Sequence, residues 1–517
     1  MPTLEWIGKE KVINHHQQVP FRVLEQKYKY GAEQSGNMII HGDNLDALKA
    51  LLPRYEGKVK CIYIDPPYNT GNEGWIYNDN VNDPKIKKWL GEVVGKEGED
   101  LSRHDKWLCM MYPRLKLLQK LLSDDGAIFI SADDTETFYL KTMCDEIFGY
   151  NNFLVDAIWQ HSIQPKGYLG TFSLHHNHTL IYRKSDAFVL GSLERTDEDN
   201  KAYKNPDNDP RGLWRSGDVR NALYRPNLIY DIISPSGNVI KAPEKGWRWS
   251  KETVAEKIKT GEIIFNQDET GIIRKIYLDS VDGRAPESIW FGKDVGTTRE
   301  ANGELKAIFD GKAPFDTPKP ARLIERILQI ATDEDSIILD SFAGSGTTAH
   351  AVLNMNKADG GNRCFILIEM EDYADSITAE RVRRVIDGYG EGKSAVEGTG
   401  GDFSFYELGD PLLVGDMLNE AVGTEKVREY VWYMETRQPY APSMGANPYY
   451  LGSINDTAYY FYYEPQKITV LDYDFLAGVT ERLGETVIYA DRCAISSDKL
   501  KAMGITFKKI PRDIARL

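Results

Sequence analysis

A chain of 517 residues is long enough to bury more than one core, so a division into several domains is expected. With 41% hydrophobic and 27% charged residues it reads as a folded globular protein, and no apolar run reaches the ~18 residues that a membrane-spanning helix needs. The formal net charge of −15 excludes a uniformly basic nucleic-acid binder and leaves only local basic surface for such contacts.

Five cysteines without CxxC or metal-ligand spacing suit a reducing compartment, and the amino terminus lacks a cationic-then-apolar leader, so a cytoplasmic protein with no membrane association is expected. The first strand signal is Met38–Ile40, followed by Asp43-Asn44 and a helical pattern over Leu45–Leu52. Asp43 has two readings: a helix N-cap, or a carboxylate at the strand edge, one strand from the Asp65 position, in reach of a cofactor's adenine.

The apolar run Val59–Ile64 ends in Asp65-Pro66-Pro67-Tyr68. A strand that ends in a carboxylate, two prolines with fixed φ and an aromatic ring offers an acceptor oxygen and a flat face at one place on a sheet edge. That combination suits an adenine flipped from a duplex: Asp65 and the Pro66 carbonyl accept the two amine protons and Tyr68 stacks on the base. The tetrapeptide alone equally fits a strand followed by a Pro-Pro turn. Residues 69–106 form a long polar stretch carrying Trp75 and Tyr77, suited to a loop that closes over substrate.

Alternating patterns continue the sheet: a helix over 107–122, a strand over 126–131, a helix over 138–148, and strands over 153–159 and 179–182. In His175-His176-Asn177-His178 adjacent side chains should face opposite ways, and no cysteine or carboxylate pattern completes a ligand set, so no metal is expected. Residues 186–312 interleave arginines with aromatics. Arg215, Arg220, Trp247, Arg248 and Trp249 are the candidates for touching DNA, although most such positions in a mixed domain are core or solvated surface.

Lys319-Pro320 precedes a helical pattern over 321–331, and Ser336–Asp340 reads as a buried strand. It runs into Ser341-Phe-Ala-Gly-Ser-Gly-Thr-Thr348 and a helical pattern over 349–356. Gly344 and Gly346 permit a sharp turn and close ligand approach at a helix amino terminus, and the next strand ends in Glu369, suited to ribose hydroxyls. Without a Gly-Lys-Ser/Thr ending the loop is not built for polyphosphate, and Asp340 suits a cationic group. Beyond a glycine-rich linker from 388, residues 403–517 read as a small α/β module.

The order DPPY before FAGSGTT resembles the β-class amino-methyltransferases. The 39 residues from His41 to Asp79, together with FDTPKP at 315–320 and GITFKKIP at 504–511, are similar to the modification subunit of type III restriction-modification systems. The resemblance implies a Rossmann-like α/β methyltransferase fold with permuted motif order, and adenine-N6 methylation of duplex DNA from S-adenosylmethionine. The catalytic set would be Asp65, Pro66, Pro67 and Tyr68. The cofactor set would be Asp43, Lys319, Asp340, Phe342, Ala343, Gly344, Ser345, Gly346, Thr347, Thr348 and Glu369. It also implies a catalytic half at 1–185, a cofactor-binding half at 313–390, a target-recognition domain at 186–312, and a 403–517 module for homodimer or partner contacts. No helicase or nuclease pattern occurs, so restriction would need another subunit. A cytosine-N4 or RNA methyltransferase, or a silent DNA-binding subunit, are the alternatives.

Overall fold

The computed structural model describes residues 3–31, 36–69, 88, 91–94, 103–165, 170, 172–438, 440–441 and 447–512. Trp75 and Tyr77, and with them most of the expected substrate loop, lie outside those residues. Two compact units emerge, one made of residues 1–190 and 287–517, the other of Gly191–Pro286.

The first unit is built on ten strands: β1 (Arg22–Tyr30), β2 (Met38–His41), β3 (Val59–Ile64), β4 (Leu122–Ala132), β5 (Phe153–Gln160), β6 (His176–Arg183), β7 (Ile289–Trp290), β8 (Ile337–Asp340), β9 (Cys364–Glu369) and β10 (Phe403–Pro411). Their order across the sheet is β1-β10-β2-β9-β8-β3-β4-β6-β5-β7. Pairing is parallel from β10 through to β4. It is antiparallel where β6 joins β4 and β5 and where β1 joins β10. Central strands such as VKCIYI and CFILIE are buried along nearly their whole length, as expected where helices cover both faces of a parallel sheet.

The helices that matter for the site are α1 (Asn44–Tyr55), α2 (Arg103–Leu121), α3 (Thr298–Ile308), α4 (Ala321–Ala331), α5 (Thr347–Asp359) and α6 (Glu380–Asp387). From β8 the chain winds toward β9, and from β3 it winds the other way toward β4. The boundary between β8 and β3 is therefore the topological switch point, where open α/β sheets form a crevice at the carboxyl ends of their strands.

One neighbour relation differs from the sequence reading. Asp43 was expected one strand from Asp65, but β9 and β8 lie between β2 and β3, so Asp43 sits beside the Glu369 strand. Two strands from late in the chain insert between two early ones, which local sequence order does not reveal.

The second unit holds a three-stranded sheet, ordered Ile263–Phe265, Ile272–Tyr277, Trp214–Gly217, with helix Lys251–Lys259. Its core gathers Ile232, Ile240, Trp247, Val254, Ile263 and Ile272. This compact unit is narrower than the expected 186–312 insert, because β7 pairs with β5 and α3 begins in a Thr297/Glu300 capping box within the first unit.

Residues 403–411 likewise belong to the main sheet as β10. The tail that follows contains α7 (Thr424–Thr436) and a four-stranded sheet ordered β11 (Tyr450–Ile454), β12 (Thr457–Phe461), β13 (Glu485–Ala490) and β14 (Ile505–Lys509). Helix α7 is tied to α1 and the residue after it: Arg54 donates to both oxygens of Glu429, and the Tyr433 hydroxyl donates to Glu56. Among the described residues no helix is long and apolar enough to cross a membrane.

Candidate active site

Asp65 sits at the carboxyl end of β3, and its Oδ2 accepts from the Lys319 ammonium, which is 8% exposed. The same ammonium lies 5.1 Å from the centre of the Tyr68 ring and 5.8 Å from that of Trp159, so a cation, a carboxylate and two rings share one buried corner. The other oxygen, Oδ1, is buried and makes no hydrogen bond of acceptable geometry with any described residue. The Tyr68 hydroxyl lies close to this carboxylate; burial first and the Asp65 charge second drive its pKa well above the usual value. Asn177 on β6 donates to that hydroxyl at 3.3 Å.

The prolines are held in place from behind. The Trp107 indole on α2 donates to the Pro67 carbonyl at 2.6 Å. Trp159 is fixed by its own indole, which donates to the Gly296 carbonyl at 2.9 Å. Lys319 was expected near a cofactor, and the structure places its ammonium on the acceptor carboxylate.

The glycine loop begins one strand away. Asp340, at the end of β8, accepts from the Thr348 hydroxyl at 2.5 Å and from the Phe342 amide at 3.0 Å. Burial pushes its carboxyl up to about 7, against those two hydrogen bonds. Glu369, at the end of β9, accepts from the Gly344 amide at 2.8 Å and the Glu371 amide at 3.0 Å, and burial raises it to about 7 as well. Each carboxylate has room for further donors, since two oxygens offer about four acceptor directions.

Two loop positions require glycine. Gly344 has φ +52° and a Cβ there would meet the Phe315 ring at 3.0 Å, while Gly346 has φ +81° and a Cβ would meet the Thr378 carbonyl at 3.0 Å. The Ala343 amide donates to the Ile368 carbonyl at 3.1 Å. Behind the loop the fully buried Arg381 of α6 donates to Ser345 at 3.0 Å and Thr347 at 2.7 Å, and also reaches Glu304 and His350. The loop is braced by buried polar contacts that fix the helix end where a ligand would bind.

Asp43 does cap α1, accepting from the Leu45 amide at 2.8 Å and the Asp46 amide at 3.3 Å. Its Oδ2 lies 3.5 Å from buried Arg114, and its side chain keeps 35% exposure, so the capping role leaves one edge of the carboxylate open.

The histidines depart from expectation. His176 and His178, two apart on β6, share one face, and Asp134 just after β4 lies 3.5 Å and 3.0 Å from their Nε2 atoms. The expectation that no carboxylate joins them is corrected: neighbouring strands bring Asp134 there, and the three ligand atoms lie within 4.8 Å of one another. Asp156 takes the other side of His178 at 2.8 Å, and hydrogen bonding to that carboxylate, more than the second one, raises the imidazole to about 9. The ring is spanned by two carboxylates across β4, β5 and β6.

In the second unit Arg215, Arg220 and Arg248 are exposed. Arg215 donates to the Tyr203 hydroxyl at 3.1 Å, and Arg220 pairs with Asp218 at 3.0 Å. Arg220 and Arg248 line one depression together with Lys245. Trp247 is corrected as a DNA contact: it is 4% exposed and its indole donates to the Tyr230 carbonyl, placing it in the core. Trp249 is partly buried beneath Arg248 and Arg274.

Sequence reasoning missed Trp159, Asn177, Phe315 and Arg381. Trp159 closes a readable strand, but nothing local announces which strand end it will face. Arg381 looks like any solvated helix position until α6 is packed.

A family profile described as DNA methylase matches residues 59–380. The StyLTI Mod subunit, a type III restriction-modification enzyme component of Salmonella typhimurium, is 35% identical over 68% of this chain and 57% of its own. The EcoPI Mod subunit of Escherichia phage P1 is 32% identical over 72% of this chain and 64% of its own. The type II methyltransferase M.KpnI of Klebsiella pneumoniae is 34% identical over 68% of this chain and 84% of its own. The matched part thus spans less than two thirds of the two Mod subunits.

Proposed function

The chain belongs to the DNA methylase family, and from that premise we propose that it transfers a methyl group from S-adenosylmethionine to the N6 amine of an adenine flipped from duplex DNA. The observation that carries this reading is the adjacency of β3 and β8, which sets the Asp65 corner beside the glycine loop at the switch point of the sheet.

The exocyclic amine of adenine is a weak nucleophile because its lone pair is delocalised into the ring. Acceptors placed on both amine protons localise that pair. Among the described residues the buried Oδ1 of Asp65 has no partner of good geometry, and it suits one proton. With the Pro67 carbonyl engaged by Trp107, the Pro66 carbonyl supplies the second acceptor. Lys319 donates to Oδ2, and Tyr68 offers a flat wall for the base.

The cofactor residues fit their ligand by chemistry. A cradle that excludes a Cβ at Gly344 and Gly346 admits close approach, and two buried carboxylates, Asp340 and Glu369, suit an ammonium and ribose hydroxyls. Phe342, Ala343, Ser345, Thr347 and Thr348 complete the loop, and the open edge of Asp43 adds a polar contact. When bound, S-adenosylmethionine supplies an electrophilic methyl on a sulfonium. The chain's own residues then orient the amine for in-line displacement, and Asp65 serves as an orienting acceptor.

We further assign the second unit to target recognition, and the protein to the cytoplasm as the modification component of a restriction-modification system. It would act as a homodimer and could join a separate restriction subunit. The test is transfer of label from methyl-tritiated S-adenosylmethionine to duplex DNA, followed by nucleoside analysis. The reading predicts N6-methyladenine; N4-methylcytosine, or label on RNA alone, would refute it.

A further inference from the structure

Directly after the Asp-Pro-Pro-Tyr segment, Asn69 adopts the left-handed region at φ +59°. Asparagine is among the few non-glycine residues that visit this region readily, and here its side chain is also held in place. Here the fixing group is a carboxylate far along the chain. The Asn69 side-chain amide donates both to Glu136 Oε1 and, at 3.2 Å, to the Arg103 carbonyl. Glu136 has 0% exposure, and the same Oε1 lies 2.7 Å from His104 Nδ1.

A buried carboxylate carries a large desolvation cost, and this one is only partly offset: Oε2 is buried without a partner among the described residues. An apolar side chain would fill the same volume without that cost, so the acceptor must serve something else. What it does is tie the residue following Tyr68 to the first turn of α2, the helix whose Trp107 already grips Pro67. The segment is thus held at two points by one helix.

We propose that Glu136 is a positioning residue for methyl transfer: through Asn69 and His104 it sets the backbone after Tyr68, and so the placement of Tyr68 and the Pro66 carbonyl against the base. The proposal rests on the function inferred above. It involves no contact between Glu136 and the substrate.

The test compares wild type with Glu136→Ala, Glu136→Gln, Asn69→Gly and the Glu136→Ala/Asn69→Gly double variant. Glycine tolerates the positive φ, so Asn69→Gly removes the anchor without adding strain. Four quantities are read: kcat on duplex DNA, affinity for S-adenosylmethionine, the cooperative unfolding temperature, and amide hydrogen exchange in the peptide covering Asp65–Asn69. Glu136→Ala and Asn69→Gly should each lower kcat at least tenfold, leave cofactor affinity within twofold, and speed exchange in that peptide. The double variant should lose no more than the worse single one, because both act through one anchor. Glu136→Gln, which keeps one acceptor, should recover most of the rate. Unchanged exchange in the single variants overturns the proposal, and so does an equal loss of cofactor affinity and cooperative unfolding temperature. A wild-type protein that methylates nothing refutes the inferred function, while the exchange comparison still decides the role of Glu136.

Discussion

At the scale of single residues the site gathers three carboxylates in different surroundings. Asp65 is held by a lysine ammonium, whereas Asp340 and Glu369 are pushed up to about 7 by burial. A cationic cofactor needs Asp340 ionised, so its binding should weaken as the pH falls through 7. For one group titrating near 7, the dissociation constant of S-adenosylmethionine at pH 6 should be about tenfold that at pH 8. Asp340→Asn should bind weakly and flatten this dependence; calorimetric titration across that range checks it, and an equally steep profile in the variant would count against the assignment.

At the scale of elements, the loop and the histidine bridge carry separate predictions. Gly346→Ala combines a positive φ with a Cβ 3.0 Å from the Thr378 carbonyl. It should cost about 1–3 kcal/mol of stability and weaken cofactor binding, as thermal unfolding with and without cofactor would show. His178 links β4, β5 and β6, with its imidazole raised from 6.5 to about 9. A group whose folded pKa is raised stabilises fully below its unfolded pKa and loses that contribution as pH rises through the folded one. Stability should therefore decline between about pH 6.5 and 9, by at most roughly 3 kcal/mol from this group. His178→Gln should be less stable at pH 6 and lack that part of the decline in denaturant titrations.

Elements also show what was legible in the sequence. The strand ends at Asp65, Asp340 and Glu369 and helix α4 were readable because apolar runs stop at punctuation residues. The place of Asp43 was not, since it depends on β8 and β9 entering between β2 and β3. Nor were β1 and β10: β1 is a half-exposed edge strand with charged residues, and β10 follows a glycine-rich stretch that reads as a linker. The bridge of Asp134 to His176 and His178 is a pairing across neighbouring strands, invisible to local spacing.

At the scale of the whole molecule, the DNA contact proposed for a chain of net charge −15 has to use local surface. Arg220 and Arg248 share one depression on the second unit, and each replaced by Ala should lower the salt dependence of DNA binding by about one counterion while leaving cofactor affinity unchanged. Binding isotherms over a salt series would test this; an unaltered slope would place the DNA elsewhere. The central claim, that Asp65 presents adenine N6 for methylation, is tested most directly by methylation-sensitive long-read sequencing of DNA from cells expressing the wild type or Asp65→Ala. The account predicts N6-methyladenine at one short motif with the wild type and none with the variant. Marks that persist in the variant, or N4-methylcytosine in their place, would contradict it.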